Sequence, residues 1–138
     1  MSADLSRFLD AQAGGTYERA LAELRAGRKQ GHWIWFVLPQ IAGLGRSPTA
    51  QHYAIADLAE ARAYLAHPVL GPRLVECAQA LTELPGRNPA AVLGPVDAMK
   101  LRSSMTLFAH ADPAQPVFRA VLEQYFGGQE DDATTSRL

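Results

Sequence analysis

The chain has 138 residues and a formal net charge of −1, with 48 % apolar and 20 % charged residues. That length favours one domain spanning 1–138, and the apolar share supplies a buried core and excludes a disordered tail or inhibitor. A charge so close to zero gives no global field for nucleic acid, which is therefore the least expected partner.

Ala and Leu together number 41, against 10 for Val plus Ile, which points to an all-α fold. The first expected helix covers 3–13, with Leu5, Phe8, Leu9 and Gln12 on one side and Gly14-Gly15 as its stop. Thr16 is the expected cap of a second helix carrying Tyr17, Ala20, Leu21 and Leu24 and ending at Gly27. The run Trp33-Ile34-Trp35-Phe36-Val37-Leu38, closed by Pro39, is too short to separate a buried strand from a helical turn. A short extended segment near 33–38 therefore stays open as an alternative to helix. Gln40–Ser47 reads as a loop and Ser47-Pro48 as the entry to the next element.

Asp57 with Glu60 resembles a capping box before a helix that ends near Ala66, and Pro68 and Pro72 suit a helix's first turn. Leu70, Leu74, Cys77, Leu81 and Leu84 recur at steps of four and three, the clearest helical signal in the chain. Asn88-Pro89 opens a short turn closed at Gly94, and Pro95 opens a helix through about Ala109. After a break at Asp112–Gln115, a last helix carries Phe118, Val121, Leu122 and Tyr125 and stops at Gly127-Gly128. The polar tail 129–138 is expected to fray.

Cys77 is the single cysteine, which excludes an internal disulfide and a cysteine-based zinc site; within the apolar stripe it reads as a small core residue. His32, His52, His67 and His110 lack metal-ligand spacing, so no metal is expected. No phosphate-loop lysine motif or dinucleotide fingerprint is present, and no cofactor is expected. The first ten residues carry Asp4, Arg7 and Asp10 rather than a leader's apolar block, and no apolar run approaches the roughly 20 residues that span a bilayer. The expectation is a soluble, cytoplasmic protein without membrane attachment.

Two constellations carry chemistry-bearing side chains. Arg28-Lys29 and His32 stand beside Trp33 and Trp35 and ahead of Gln40 and the Gly43-Leu44-Gly45 loop. Cations, an imidazole and flat aromatic walls suit a phosphorylated, base-containing ligand; the plainer reading makes the tryptophans core and the glycines a turn. In the second, Asp97, Lys100 and Ser104 share a helical face within Asp97-x-x-Lys100-Leu101-Arg102-Ser103-Ser104-Met105-Thr106. So many hydroxyls are poor helix formers, which suggests that a pocket or a neighbouring helix uses them. Asp97 and Lys100 could equally be a surface i,i+3 pair. His67, before Pro68, reads as a cap, and Arg73 one turn further on could reach a carboxylate or a ligand phosphate.

The run from Gly27-Arg28-Lys29 through His32-Trp33-x-Trp35-Phe36 to Pro39-Gln40-Ile41-x-Gly43-Leu44-Gly45-x-Ser47 resembles the signature of domain-of-unknown-function family 1810. Tyr53-Ala54-Ile55, the stretch from Glu60 through His67-Pro68 to Arg73-Leu74, the Asp97–Phe108 block and the ending Tyr125-Phe126-x-Gly128-x-x-Asp131-x-x-Thr134 fit it too. The resemblance implies a mainly helical protein and brings no established activity. The calpastatin label often attached to this family names a disordered protease inhibitor, which the composition contradicts. A weaker similarity, in size and overall character, links the chain to the NADAR group of nucleotide and ADP-ribose chemistry, without a residue-by-residue match.

The leading expectation is a pocket for a small phosphorylated or nucleotide-like ligand, with hydrolysis of an N-glycosidic or ribose-linked substrate as its strongest form. In that reading Asp97 activates water or steadies an oxocarbenium-like centre and His32 protonates the leaving group. Trp33 or Trp35 stacks on a base, Lys29, Lys100 and Arg102 neutralise phosphate, and Gln40, Arg73, Ser103 and Ser104 complete the binding set. The alternative is a non-enzymatic interaction or structural module whose polar motif is an internal hydrogen-bond network.

Overall fold

Glycines and prolines cut the described residues, 4–138 of the computed structural model, into ten helices. They are α1 (Ser6–Gln12), α2 (Thr16–Ala26), α3 (Ile34–Val37), α4 (Pro48–His52), α5 (Leu58–Ala66), α6 (Leu70–Thr82), α7 (Pro89–Leu93), α8 (Pro95–Ala111), α9 (Val117–Phe126) and α10 (Asp132–Thr135). The fold is all-α. Among the described residues the one β-type pairing is a parallel bridge between Ile41 and Ile55, where Ala42 N donates to Ile55 O and Ile55 N to Gln40 O, both at 2.8 Å.

Local chemistry sets the boundaries, sometimes not where the sequence suggested. The expected start of the first helix, residue 3, lies outside the described residues; α1 begins at Ser6, whose N–H and hydroxyl are taken by the Asp4 carboxylate at 3.0 and 2.7 Å. Thr16 is the first residue of α2 rather than its cap, because Gly15 takes the cap position with a φ of 85° that other residues resist. Asp57, as expected, and also Ser47 and Asn88, which open their elements, each accept a backbone N–H of the following turn. Glu60 reaches back to the Ala56 N–H at 3.0 Å, completing a variant of the capping box. His67 caps as expected, its Nδ1 accepting from the N–H groups of Val69 and Leu70 at 3.1 and 3.2 Å.

The undecided tryptophan run forms one helical turn, α3, so the extended segment near 33–38 is not formed. Its N–H groups bond back along the chain, Val37 to Trp33 O at 3.0 Å and Leu38 to Ile34 O at 3.1 Å. Pro39 follows and cannot extend that ladder.

Helix α8 runs through the middle and packs against α5, α7 and α9, while α6 packs against α2, α5 and α9. An aromatic relay crosses the core from α1 to α9. Phe8 meets Tyr64 edge-on at 5.1 Å, Tyr64 meets Phe108 at 5.5 Å, and Phe108 meets Phe118 at 5.9 Å. Each such pair contributes about 0.5–1.5 kcal/mol beyond its burial. Gln12 threads a polar link through this core: Nε2 donates to Phe36 O at 2.8 Å and Tyr64 OH at 3.3 Å, and Oε1 accepts from Arg73 at 3.2 Å. Cys77 lies buried in the same core, and burial pushes its thiol up to about 12, far from reactive thiolate.

Where fraying was expected, residues 132–135 form α10, Thr134 is buried and the segment is hydrogen-bonded to α8. Asp131 Oδ2 accepts from Ser103 at 2.7 Å and Thr134 at 2.6 Å, and the Asp131 N–H donates to Thr106 Oγ1 at 2.9 Å. Arg102 adds bonds to the carbonyls of Gln129 and Glu130, and Arg137 reaches the Gly43 carbonyl at 3.2 Å. Polar composition suggested disorder; paired polar groups hold the segment instead.

Candidate functional site

Gly94 and Pro95 start α8 and place Asp97 in its first turn, where a carboxylate is favoured by the N–H groups at the helix start. Lys100 lies one turn on, and its Nζ donates to Asp97 Oδ1 at 3.0 Å. Asp97 Oδ2 receives Lys29 Nζ at 2.8 Å. The tryptophan motif and the α8 motif therefore meet in space.

Lys29 is delivered by a loop held from three sides. Gly27 ends α2 with a φ of 74°, and the Lys29 N–H donates to Val92 O at 2.7 Å, pinning the loop to α7. Glu23, in the last turn of α2, folds over the same loop. Its Oε1 accepts from the N–H groups of Gln30 and Gly31 at 2.6 and 2.8 Å and from the Trp33 indole at 2.9 Å. Sequence reasoning passed over Glu23. The signal was its position: a carboxylate in a helix's last turn is disfavoured by the helix dipole and must find donors elsewhere.

Each ammonium lies over a tryptophan, Lys29 at 5.2 Å from the Trp33 ring centre and Lys100 at 4.1 Å from that of Trp35. The two lysines differ in what remains available. Lys29 also donates to Gly31 O, and its side chain is only 7 % exposed. Among the described residues Lys100 has Asp97 as its one acceptor, which leaves donor capacity on its ammonium.

Burial pushes the Asp97 carboxyl up, but the hydrogen bonds from Lys29 and Lys100 outweigh it and hold the group below its ordinary value of 3.8. Glu23 behaves alike: burial raises it, and the amides of Gly31 and Gln30 with the Trp33 indole lower it further than burial raises it. Both carboxylates are ionised at neutral pH. Asp97 is thus a weak base with an ammonium on each oxygen, a geometry suited to holding the lysines rather than to taking a proton.

Other residues expected at the site lie away from the cluster or are committed to partners of their own. His32 is exposed and shares no hydrogen bond or ion pair with Asp97, Lys29 or Lys100 among the described residues. Trp33 is buried with its N–H committed to Glu23, so it offers no stacking face. Gln40 lines a narrow cleft of about 10 Å³ with Trp35, Leu44, Gly45 and Tyr53, room for one water molecule. Arg73 is absorbed by Gln12 and by the Tyr17 ring, 4.7 Å from its guanidinium. Arg102 and Ser103 fasten the tail.

Ser104 shares the helical face of Asp97 and Lys100 but is fully buried, and its hydroxyl has no hydrogen-bond partner. An orphaned hydroxyl costs stability, so Ser104→Ala is expected to stabilise the protein by about 1 kcal/mol, raising Tm by about 4 °C in thermal unfolding. A fall in Tm would mean that the hydroxyl is satisfied after all.

Among the described residues no group of three or more His, Cys, Asp or Glu side chains is arranged for a metal ion, and no helix is long and apolar enough to cross a membrane. What the fold and the lysine cluster define is an all-α protein with a paired-lysine carboxylate site. Its sequence matches, over residues 2–138, the family described as a protein of unknown function (DUF1810), and the chain belongs to that family. It is similar to the conserved hypothetical protein Rv1873 from Mycobacterium tuberculosis, known from a crystal structure. The two are 52 % identical, with 98 % of this chain and 96 % of that chain covered and a TM-score of 0.95. No curated protein matches the sequence. The likeness to the NADAR group has no counterpart among these matches.

Proposed function

We propose that the protein binds a small anionic ligand of the phosphorylated or nucleotide-like class at Lys100, with Trp35 beneath the ammonium and Lys29 and Asp97 as the scaffold. The observation that carries this is the placement of both lysines of the chain on one carboxylate, each over a tryptophan, with donor capacity left on one of them. Elsewhere the chain uses arginine, 11 times. A compact ammonium that can turn between Asp97 and an incoming oxygen suits exchange better than a rigid guanidinium fork. A ligand's ring would meet Trp35 only if the Gly43–Gly45 loop moved, since the cleft beside it has room for no more than one water molecule.

The reading stops at binding. Hydrolysis through Asp97 would require a lysine to release one of its oxygens and His32 to approach. Thermal unfolding against nucleotides, ADP-ribose, NAD and sugar phosphates tests the proposal. A true ligand at 100 times its Kd is expected to stabilise by about 2.7 kcal/mol, several degrees at this size. The shift should vanish in Lys100→Ala and survive in His32→Ala. A flat panel would sink the ligand and favour the second reading, an interaction or structural module. That reading draws on the self-paired lysine cluster and on Val96 and Met99 of the same helix, which are 66 % and 72 % exposed.

A further inference from the structure

Helix α8 has a second lined face. At 100° per residue, Ala98, Met99, Arg102 and Ser103 project away from the side that carries Asp97, Lys100 and Ser104. With Phe126 from the end of α9 and Asp131 from the tail, these four enclose a cavity of about 130 Å³. A dry cavity of roughly 150 Å³ accepts a single six-membered ring. Ala98, the Met99 thioether and the Phe126 ring supply apolar and polarisable wall, and Met99 lies at an open mouth.

The polar groups around the cavity select what kind of ring fits. Arg102 spends Nε on Gln129 O at 3.2 Å and Nη2 on Glu130 O at 2.6 Å; among the described residues its Nη1 has no acceptor. Asp131 spends Oδ2 on Ser103 and Thr134, and among the described residues its Oδ1 receives no hydrogen bond. One N–H donor and one carboxylate acceptor are therefore left at the same cavity. Their charges are opposite, so neither a net anion nor a net cation is favoured there. A donor for a carbonyl and an acceptor for an N–H, beside an apolar slot one ring wide, match a neutral carboxamide.

We infer that this cavity is a binding site for a small neutral ring bearing a carboxamide, its C=O on Arg102 and its N–H on Asp131. It lies on a different face of α8 from the lysine cluster and does not depend on that cluster binding anything.

Benzamide is the probe, followed through the methyl NMR signals of Ala98 and Met99 in the full chain. Shifts at both methyls, with a Kd on the order of 1 mM as suits a fragment of this size, are expected. Benzoate and toluene should shift them at least tenfold more weakly. Ala98→Leu fills the cavity and should abolish binding. Met99→Ala, at an exposed position that leaves folding intact, should weaken it by roughly fivefold. No shift with benzamide at tens of millimolar overturns the inference, as does equal binding of benzoate or toluene or unchanged affinity in Met99→Ala.

Discussion

Asp97→Asn is expected to lower stability by about 3 kcal/mol, a fall in Tm of about 10 °C in thermal unfolding. Asparagine keeps the shape of the side chain and one acceptor oxygen but removes the charge that two ammonium groups share. The three side chains are only 7 %, 17 % and 20 % exposed at Lys29, Asp97 and Lys100, so water does not replace the lost carboxylate cheaply. Removing one partner of a buried ion pair costs more than the pair contributes net, because the other charge stays behind. Adding Lys29→Met to Asp97→Asn should therefore recover part of the loss, a non-additivity of at least about 1 kcal/mol. An Asp97→Asn variant within about 0.5 kcal/mol of the parent, the scatter of an ordinary surface change, would remove the cluster from any account of what holds the 28–33 loop against α8.

The same variant carries a pH signature. Asp97 is held below 3.8 when folded, so the folded state binds its proton less readily than the unfolded chain does. Its contribution is complete above about 3.8, the unfolded value, and is lost as pH falls through the lower folded value. Glu23, lowered from 4.5, adds a second loss of the same sign that begins slightly higher. Denaturant unfolding of parent and Asp97→Asn should thus give a constant gap near neutral pH that narrows on acidification below about 4. A gap that widens in acid would contradict the assignment of Asp97 as the ionised partner.

Much of the fold was legible because helix boundaries are local chemistry. Asp57, His67, Asn88-Pro89, Pro95 and the glycine stops act on their own neighbours, and the Leu70–Leu84 stripe needs nothing beyond its own period. The site was legible in part. Lys29, Asp97 and Lys100 do meet, and Trp35 lies under Lys100. Ser104 does lie on their helical face, but burial, which depends on what packs against α8, separates it from solvent. The tail-holding role of Arg102 and Ser103 was not legible because their partners, the Gln129 and Glu130 carbonyls and the Asp131 carboxylate, lie 27 and 28 residues on in a tail that looked too polar to order. The bond of Arg73 to Gln12 was hidden likewise, Gln12 being 61 residues away on α1. Glu23 was invisible because its role is to accept backbone N–H groups, which leave no residue-type signature.

Gly71→Ala is the second change expected to cost about 3 kcal/mol or more. Gly71 is buried in the first turn of α6, its N–H bonded to His67 O at 3.1 Å. A Cβ there would lie 2.0 Å from Leu65 O and 2.9 Å from Leu65 C, both backbone atoms of α5. No side chain can swing aside, so α5 and α6 would have to separate where Tyr64 joins the aromatic relay. Alanine's better helix propensity returns only about 1 kcal/mol, so the steric cost wins. Gly86→Ala, where nothing lies within 4 Å, is the control and should stay near the parent. Gly71→Ala and Asp97→Asn are alike in size but not in origin. The first removes no charge, so its penalty should hold steady as pH falls from 7 to 4 and onward, while that of Asp97→Asn shrinks in acid. A Gly71→Ala penalty that also faded in acid would mean that the α5–α6 junction and the lysine cluster open as one unit.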